Sequence, residues 1–464
     1  MISDTTICAL ATSGSGALAI IRISGPDTIT NCDKVLSFSD SMKKLKDQSP
    51  NTIHFGLIRD ESEVLDEVII SLFKAPHSYT GEDSVEISCH ASPYIEKRIL
   101  EILVQQGMIL AKPGEFTQRA YLNGKLDLSQ AEAVADLIAS ESKAAHRIAL
   151  DQMRGGFSKE IISLRQELLS FVSLIELELD FGEEDVEFAN RHQLKALVEK
   201  ILSLIENLIN SFRQGNAIKN GVPVAIIGKP NVGKSTLLNR LLNEDKAIVS
   251  EIAGTTRDAI EDTVTLEDII FRFIDTAGIR ETEDIIENLG IRKTMQKIEQ
   301  AAIVLLLADA GDDVQVTIAA LEEIRKQISG KEKQLVLVIN KSDLKDHSLI
   351  RSDNFKLETN EYQVNISAET GENIDKLKSI LLESSHLNKL DNSGVIVSNV
   401  RHYEALTHVS ENLKRVIEGL EGKLPEDLLA QDIRQAMHYL GEITGEVTTD
   451  EVLGNIFRNF CIGK

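Results

Sequence analysis

The 464-residue chain has no stretch approaching the roughly 18 consecutive apolar residues that cross a bilayer as a helix. Its start, MISDTTICALATSG, carries no basic region ahead of an apolar one, so it does not read as a secretory leader. Both absences lead to the expectation of a cytosolic chain. The four cysteines, Cys8, Cys32, Cys89 and Cys461, form no CxxC pair and no zinc spacing. That argues against a disulfide framework and leaves any cysteine chemistry to single thiols. Basic residues are in deficit, 50 Lys and Arg against 73 Asp and Glu, a net charge of −23. Such a balance opposes non-specific binding to nucleic acid, because affinity for a phosphate backbone is built from basic contacts. A nucleic-acid partner has to meet a local basic patch or be held by a second protein. Internal repeats and low-complexity tracts are lacking too.

What is present is a composition of 42% hydrophobic and 27% charged residues, ordinary for a folded chain. The length allows roughly two to four domains. Residues 1–122 alternate short β-branched runs (17–23, 68–73, 84–88) with turns and predict an α+β domain. Over 123–218 the apolar residues take helical spacing, as in Ile161, Leu164, Leu168, Phe171, Ile175 and again Leu194, Leu197, Ile201, Leu204, Leu208. The acidic stretch 180–185 separates two long helices and reads as a solvated loop. Across 219–383 strands alternate with helices. The runs 224–227, 269–274, 303–308 and 335–339 predict buried parallel strands. Helical periodicity returns over 384–464, in 403–420 and 426–441. An α/β domain thus interrupts a helical one, whose two pieces are expected to pack together.

The α/β segment carries the chemistry. Gly228-Lys-Pro-Asn231-Val232-Gly233-Lys234-Ser235-Thr236 follows the strand at 224–227 and leads into a helix. Glycines let the backbone curl so that its N–H groups point at phosphate oxygens, and the helix N-terminus adds a favourable dipole. Lys234 reaches the outer phosphates and Ser235 ligates Mg²⁺. Three further segments follow in the order such a domain requires. Asp275-Thr276-Ala277-Gly278 ends a strand, with Asp275 near the metal and the Gly278 N–H near the γ-phosphate. Asn340-Lys341-Ser342-Asp343 ends another. A carboxylate there accepts hydrogen bonds from guanine N1–H and its 2-amino group, which adenine does not offer. Ser367-Ala368-Glu369 follows a strand over 362–366 and can present a backbone N–H to guanine O6. Any one segment could be accidental; in this order they imply a Ras-like P-loop domain that binds GTP.

Between the phosphate loop and Asp275 lies Ser250-Glu251-Ile252-Ala253-Gly254-Thr255-Thr256-Arg257. A threonine hydroxyl there can complete the Mg²⁺ shell and sense the γ-phosphate, and Thr256 is the chosen one. Many small GTPases place a glutamine directly after Asp-x-x-Gly to orient the attacking water. Here that position is Ile279, which cannot hold a water. Carboxylates of the next loop, Glu281, Glu283, Asp284 and Glu287, could take the task, and spacing does not choose among them.

Beyond the GTPase segments, several runs carry a resemblance. They are Ile20-Ile-Arg22-Ile-Ser-Gly25, Ser78-Tyr-Thr-Gly-Glu-Asp83, Pro113-Gly-Glu-Phe-Thr117, Asn123-Gly-Lys125-Leu-Asp-Leu128, Gly254-Thr-Thr-Arg257 and the terminus Phe460-Cys461-Ile462-Gly463-Lys464. With these, the sequence resembles the MnmE (TrmE) family of tRNA-modification GTPases over essentially its full length. The resemblance implies a tetrahydrofolate-binding and dimerising domain at 1–122 and a discontinuous helical domain at 123–218 and 384–464. It also implies an inserted GTPase domain at 219–383. Asn231 with Ser250, Ile252 and Thr255 would cage K⁺, and Glu287 would orient the water. Arg22, Glu86, Lys125 and Lys464 match positions that bind 5,10-methylenetetrahydrofolate or 5-formyltetrahydrofolate. The resemblance also implies that Cys461 takes part in the modification reaction. The implied partners are a second copy of the chain, an MnmG (GidA) family flavoprotein and tRNA. The implied product carries a carboxymethylaminomethyl or aminomethyl group at C5 of the wobble uridine. A regulatory or ribosome-assembly GTPase would show the same 228–367 segments; the terminal tail and the folate-like positions argue against it.

Overall fold

The computed structural model describes residues 4–12, 16–38, 42–60, 63–180, 191–244, 262–274, 295, 297–330, 333–344, 355–358, 360–385, 395–422, 424–458 and 460–463. The chain folds as two compact units: Met1–Ala139 with Ala149–Glu206 and Glu404–Lys464, and Ser140–Ile148 with Asn207–Tyr403.

The first unit holds a seven-stranded sheet: β1 (Ile7–Leu10), β2 (Leu18–Ser24), β3 (Leu36–Ser37), β4 (Thr52–Asp60), β5 (Glu63–Phe73), β6 (Ser84–His90) and β7 (Ile109–Leu110). Its order is β3-β4-β5-β6-β2-β1-β7, antiparallel except for the β1–β7 pair. Side chains alternate across a strand, so one face collects Ile21, Ile23, Val68, Ile70, Leu72, Val85 and Ile87, all buried. The helices Thr28–Val35 and Pro93–Gln105 cover that face through Ile29, Cys32, Ile99 and Leu103. The other face carries Arg22 opposite Glu86, and farther along it Phe55 opposite Ile69 with Ile53 nearby. These three apolar residues stand well out of the core, Ile53 at 72% exposure.

In the same unit, the helix Leu128–Ile138 starts at a capping box. The Asp127 carboxylate accepts from the Gln130 N–H, and the Gln130 side chain accepts from the Asp127 N–H. The long helix Gly156–Asp180 packs along Glu426–Thr444, and Arg165 bridges to Glu446 at 2.6 Å. The two stretches of helical periodicity on either side of the α/β segment therefore meet, as the apolar spacing of each requires. The acidic stretch beyond Asp180 lies outside the described residues.

The second unit is an α/β domain with six strands: β8 (Val222–Gly228), β9 (Asp262–Leu266), β10 (Ile269–Phe273), β11 (Ile303–Asp309), β12 (Gln334–Asn340) and β13 (Glu361–Asn365). They lie in the order β13-β12-β11-β8-β10-β9. Residues of β11 divide between the two faces: Ile303, Leu305 and Leu307 join one core, Val304, Leu306 and Ala308 the other. A strand buried on both faces needs an unbroken apolar run, the pattern that β8, β11 and β12 carry in the sequence. The run at 269–274 differs from expectation on one side. It is parallel to β8 but antiparallel to β9, through a two-residue turn at Glu267 and Asp268 with φ of 45° and 69°. Positive φ at both turn residues twists a hairpin in the sense of its strands, and neither residue is the glycine or asparagine that signals such a turn in a sequence.

Candidate functional site

Parallel β8, β11 and β12 end side by side, so the loops leaving them converge at the carboxyl edge of the sheet. The phosphate loop leaves β8 and enters the helix Lys234–Glu244. Asn231 is exposed at its tip with φ 63°, while Val232 is buried beneath. The Lys234 ammonium donates to the Gly228 and Lys229 carbonyls at 2.9 and 2.7 Å, which stretches the side chain back over the loop. Burial, and after it the nearby Lys297, lower the Lys234 pKa. An incoming phosphate oxyanion would act in the opposite direction and favour the charged ammonium.

Asn340, the last residue of β12, is 2% exposed and joins three segments. Its Nδ2 donates to the Val232 carbonyl of the phosphate loop at 2.8 Å, and its Oδ1 accepts the Ala368 N–H at 2.9 Å. Gly233 sits against this amide with φ +97°, and a Cβ there would lie 2.2 Å from Asn340 Nδ2. Glycine is therefore required at Gly233 both for conformation and for space. Ser342 donates its N–H to the Ile366 carbonyl at 3.0 Å, which fixes where the exposed Asp343 leaves the sheet. The loop Ser367-Ala368-Glu369 is closed on itself: Ser367 Oγ accepts the Thr370 N–H and the Ser367 carbonyl accepts the Gly371 N–H.

One residue beyond the sequence reading belongs here. Asp309 ends β11 in register with Asn340 and pairs with Lys341 Nζ at 2.6 Å. A polar residue closing a buried parallel strand was the available signal, since that end of the sheet is where ligands bind. Ser235 and Thr236 open the helix after the phosphate loop. Asp275 to Gly278, Ser250 to Thr256 and Glu287 lie outside the described residues.

In the first unit, β2 and β6 set Arg22 against Glu86, Nε to Oε1 2.8 Å. The guanidinium lies 5.5 Å from the Tyr79 ring centroid and donates through Nη1 to the Gly463 carbonyl at 3.2 Å. Tyr79 belongs to the 78–83 segment, whose Glu82 takes charge-assisted hydrogen bonds from the buried Arg119. Lys125 reaches the same segment, donating to the Pro76 carbonyl at 3.0 Å and lying along Gly81. Arg22 and Lys125, two of the four positions matched to folate binding, thus meet one loop, and a third, Glu86, is joined to it through Arg22. The fourth, Lys464, is outside the described residues.

The terminal tail is docked rather than trailing. Phe460 packs against Phe457 with the ring planes tilted by 49°, the Cys461 carbonyl accepts the Gly114 N–H at 3.3 Å, and Gly463 is buried against Leu10 and Ala11. With φ +93° and Leu10 O 2.3 Å from where a Cβ would stand, Gly463 tolerates no side chain. Cys461 itself is exposed, whereas Cys8, Cys32 and Cys89 are buried. Burial pushes Cys8 and Cys89 up to about 11 and raises Cys32 as well, which leaves those thiols protonated and inert.

A profile of the MnmE helical domain matches residues 128–461, and one of the GTP-binding protein TrmE N-terminus matches residues 6–125. Two relatives, each named tRNA modification GTPase MnmE, come from Bacteroides thetaiotaomicron and Bacteroides fragilis. Both are 53% identical and cover 100% of this chain and of their own. A third of that name, from Flavobacterium psychrophilum, is 54% identical over 469 residues with the same full coverage. No helix among the described residues is long and apolar enough to cross a membrane. With phosphate loop, base loops and terminal tail in place and this identity along its whole length, the chain belongs to the MnmE family of tRNA modification GTPases.

Proposed function

We propose that the chain is a potassium-activated GTPase acting with an MnmG (GidA) family flavoprotein. Together they add a carboxymethylaminomethyl or aminomethyl group at C5 of the wobble uridine of certain tRNAs. The observation that carries the GTPase reading is Asn340, which ties the phosphate loop to the loop at Ser367–Glu369 through one buried amide. The relatives' name, tRNA modification GTPase, supports the action on tRNA.

In this reading Lys234 binds the outer phosphates, and Ser235 and Thr256 hold Mg²⁺. Asp275 would serve the metal, and the Gly278 N–H would meet the γ-phosphate. Bound Mg²⁺ supplies a Lewis acid to the phosphoryl oxygens. Glu287 orients the attacking water in place of the glutamine that Ile279 cannot replace. Asn231, Ser250, Ile252 and Thr255 would hold K⁺, which when bound would offset charge developing on the phosphates. The Asn231 side chain suits that role, since it stands exposed on the phosphate loop. In the N-terminal domain Glu86 meets the amide and amino edge of a pterin, and Arg22, Lys125 and Lys464 meet glutamyl carboxylates. Bound tetrahydrofolate supplies the one-carbon unit. The exposed stripe of Ile53, Phe55 and Ile69 beside Arg22 and Glu86 suits a second copy of the chain. A net charge of −23 leaves much of the tRNA surface to the flavoprotein.

Hydrolysis of GTP is expected to run about tenfold faster or more in KCl than in NaCl at equal ionic strength. Asn231→Ala should abolish the difference. Alanine at φ 63° also costs about 1 kcal/mol of loop stability, but that cost acts equally in both salts and leaves the ratio clean. Equal wild-type rates in the two salts would remove potassium from the mechanism. The tRNA assignment has its own test: a strain deleted for this chain should accumulate wobble uridines lacking the C5 group. Full modification in that strain would leave a GTPase switch without tRNA chemistry.

A further inference from the structure

Arg240 lies on the helix Lys234–Glu244, six residues beyond Lys234, which places it about 9 Å along the axis from the phosphate loop. Its guanidinium reaches the loop at Ser367–Glu369: Nε donates to the Ala368 carbonyl at 3.2 Å, and Nη2 donates to the Glu369 carbonyl. The Ala368 N–H is already committed to Asn340 Oδ1. The next N–H along the loop is that of Glu369, in the same peptide unit as the carbonyl that Arg240 Nε holds. A trans peptide is planar, and its C=O and N–H point in opposite directions. Fixing the oxygen toward Arg240 therefore turns the Glu369 N–H away from the helix.

We propose that Arg240 is a positioning residue for base recognition, clamping the Ala368–Glu369 peptide so that the Glu369 N–H faces guanine O6. This rests on the reading of Ser367–Glu369 as the O6 contact. Two donors from one rigid guanidinium fork hold two consecutive carbonyls, a geometry the single ammonium of lysine does not reproduce. The clamp also links base to phosphates, because the helix carrying Arg240 begins at Lys234 and Ser235.

The test is displacement of a fluorescent ribose-labelled GDP from the full chain by GDP and by 6-thio-GDP, whose sulfur is a weaker acceptor than O6. Wild type should bind GDP about tenfold more tightly than the thio analogue. Arg240→Ala should weaken GDP about tenfold and bring the two ligands within about twofold of each other. The GTPase KM should rise in step, while kcat at saturating GTP falls less than about threefold, since the clamp does not touch the γ-phosphate. Arg240→Lys should fall between, with partial discrimination, and carries the comparison should the alanine variant melt below the assay temperature. Equal weakening of both ligands, or GDP affinity within about twofold of wild type, would overturn the clamp. A wild type that does not discriminate overturns instead the O6 contact on which the clamp depends.

Discussion

Asp343→Asn is expected to exchange GTP for xanthosine triphosphate as the preferred substrate. The carboxylate offers two acceptors to guanine N1–H and its 2-amino group; an asparagine offers a donor that suits the 2-oxo group of xanthine instead. A site built for one hydrogen-bonding pattern rejects the wrong partner strongly, because a buried polar group is then left unpaired. The ratio of kcat/KM for GTP over that for xanthosine triphosphate should fall by about a thousandfold or more. Asp343 is exposed, and the backbone carrying it is held by Ser342 N–H on the Ile366 carbonyl. The substitution should therefore leave melting temperature nearly unchanged, which separates lost recognition from lost structure. An unchanged substrate preference would contradict the assignment of Asp343 to the base.

Gly233→Ala is the second large effect. A Cβ there would stand 2.2 Å from Asn340 Nδ2, and φ +97° is a conformation that alanine rarely adopts. Asn340 cannot swing clear without releasing the Val232 carbonyl and the Ala368 N–H, both buried contacts. Losing two buried hydrogen bonds and straining one residue costs about 3 kcal/mol or more. Because those bonds join the phosphate loop to the base loop, the damage falls on nucleotide binding as well as on stability. Affinity for GDP should drop at least about a hundredfold by isothermal titration. Binding within about threefold of wild type would mean that Asn340 does not couple the loops.

Legibility in the sequence followed the range of each interaction. The phosphate loop could be read because its glycines and the Lys234-Ser235 pair stand at fixed spacing in one contiguous segment. The strands at 303–308 and 335–339 could be read because burial on both faces demands an unbroken apolar run. The long helices could be read because each hides one stripe at a period near 3.6 residues. The β9–β10 hairpin could not, since its turn puts Glu267 and Asp268 at positive φ with no glycine to announce it.

By itself the sequence determined the guanine-nucleotide class of the central domain, the order of its loops and the helical regions on either side. Each depends on residues close together along the chain or on a repeating pattern of burial. Only the tertiary structure decided that Asn340 bridges Val232 and Ala368, that Asp309 holds Lys341, that Arg240 grips the base loop and that Gly463 is wedged against Leu10. These pairs lie tens to hundreds of residues apart. Their meeting depends on strand order and register, which set the spatial neighbours of a residue independently of its neighbours in the chain.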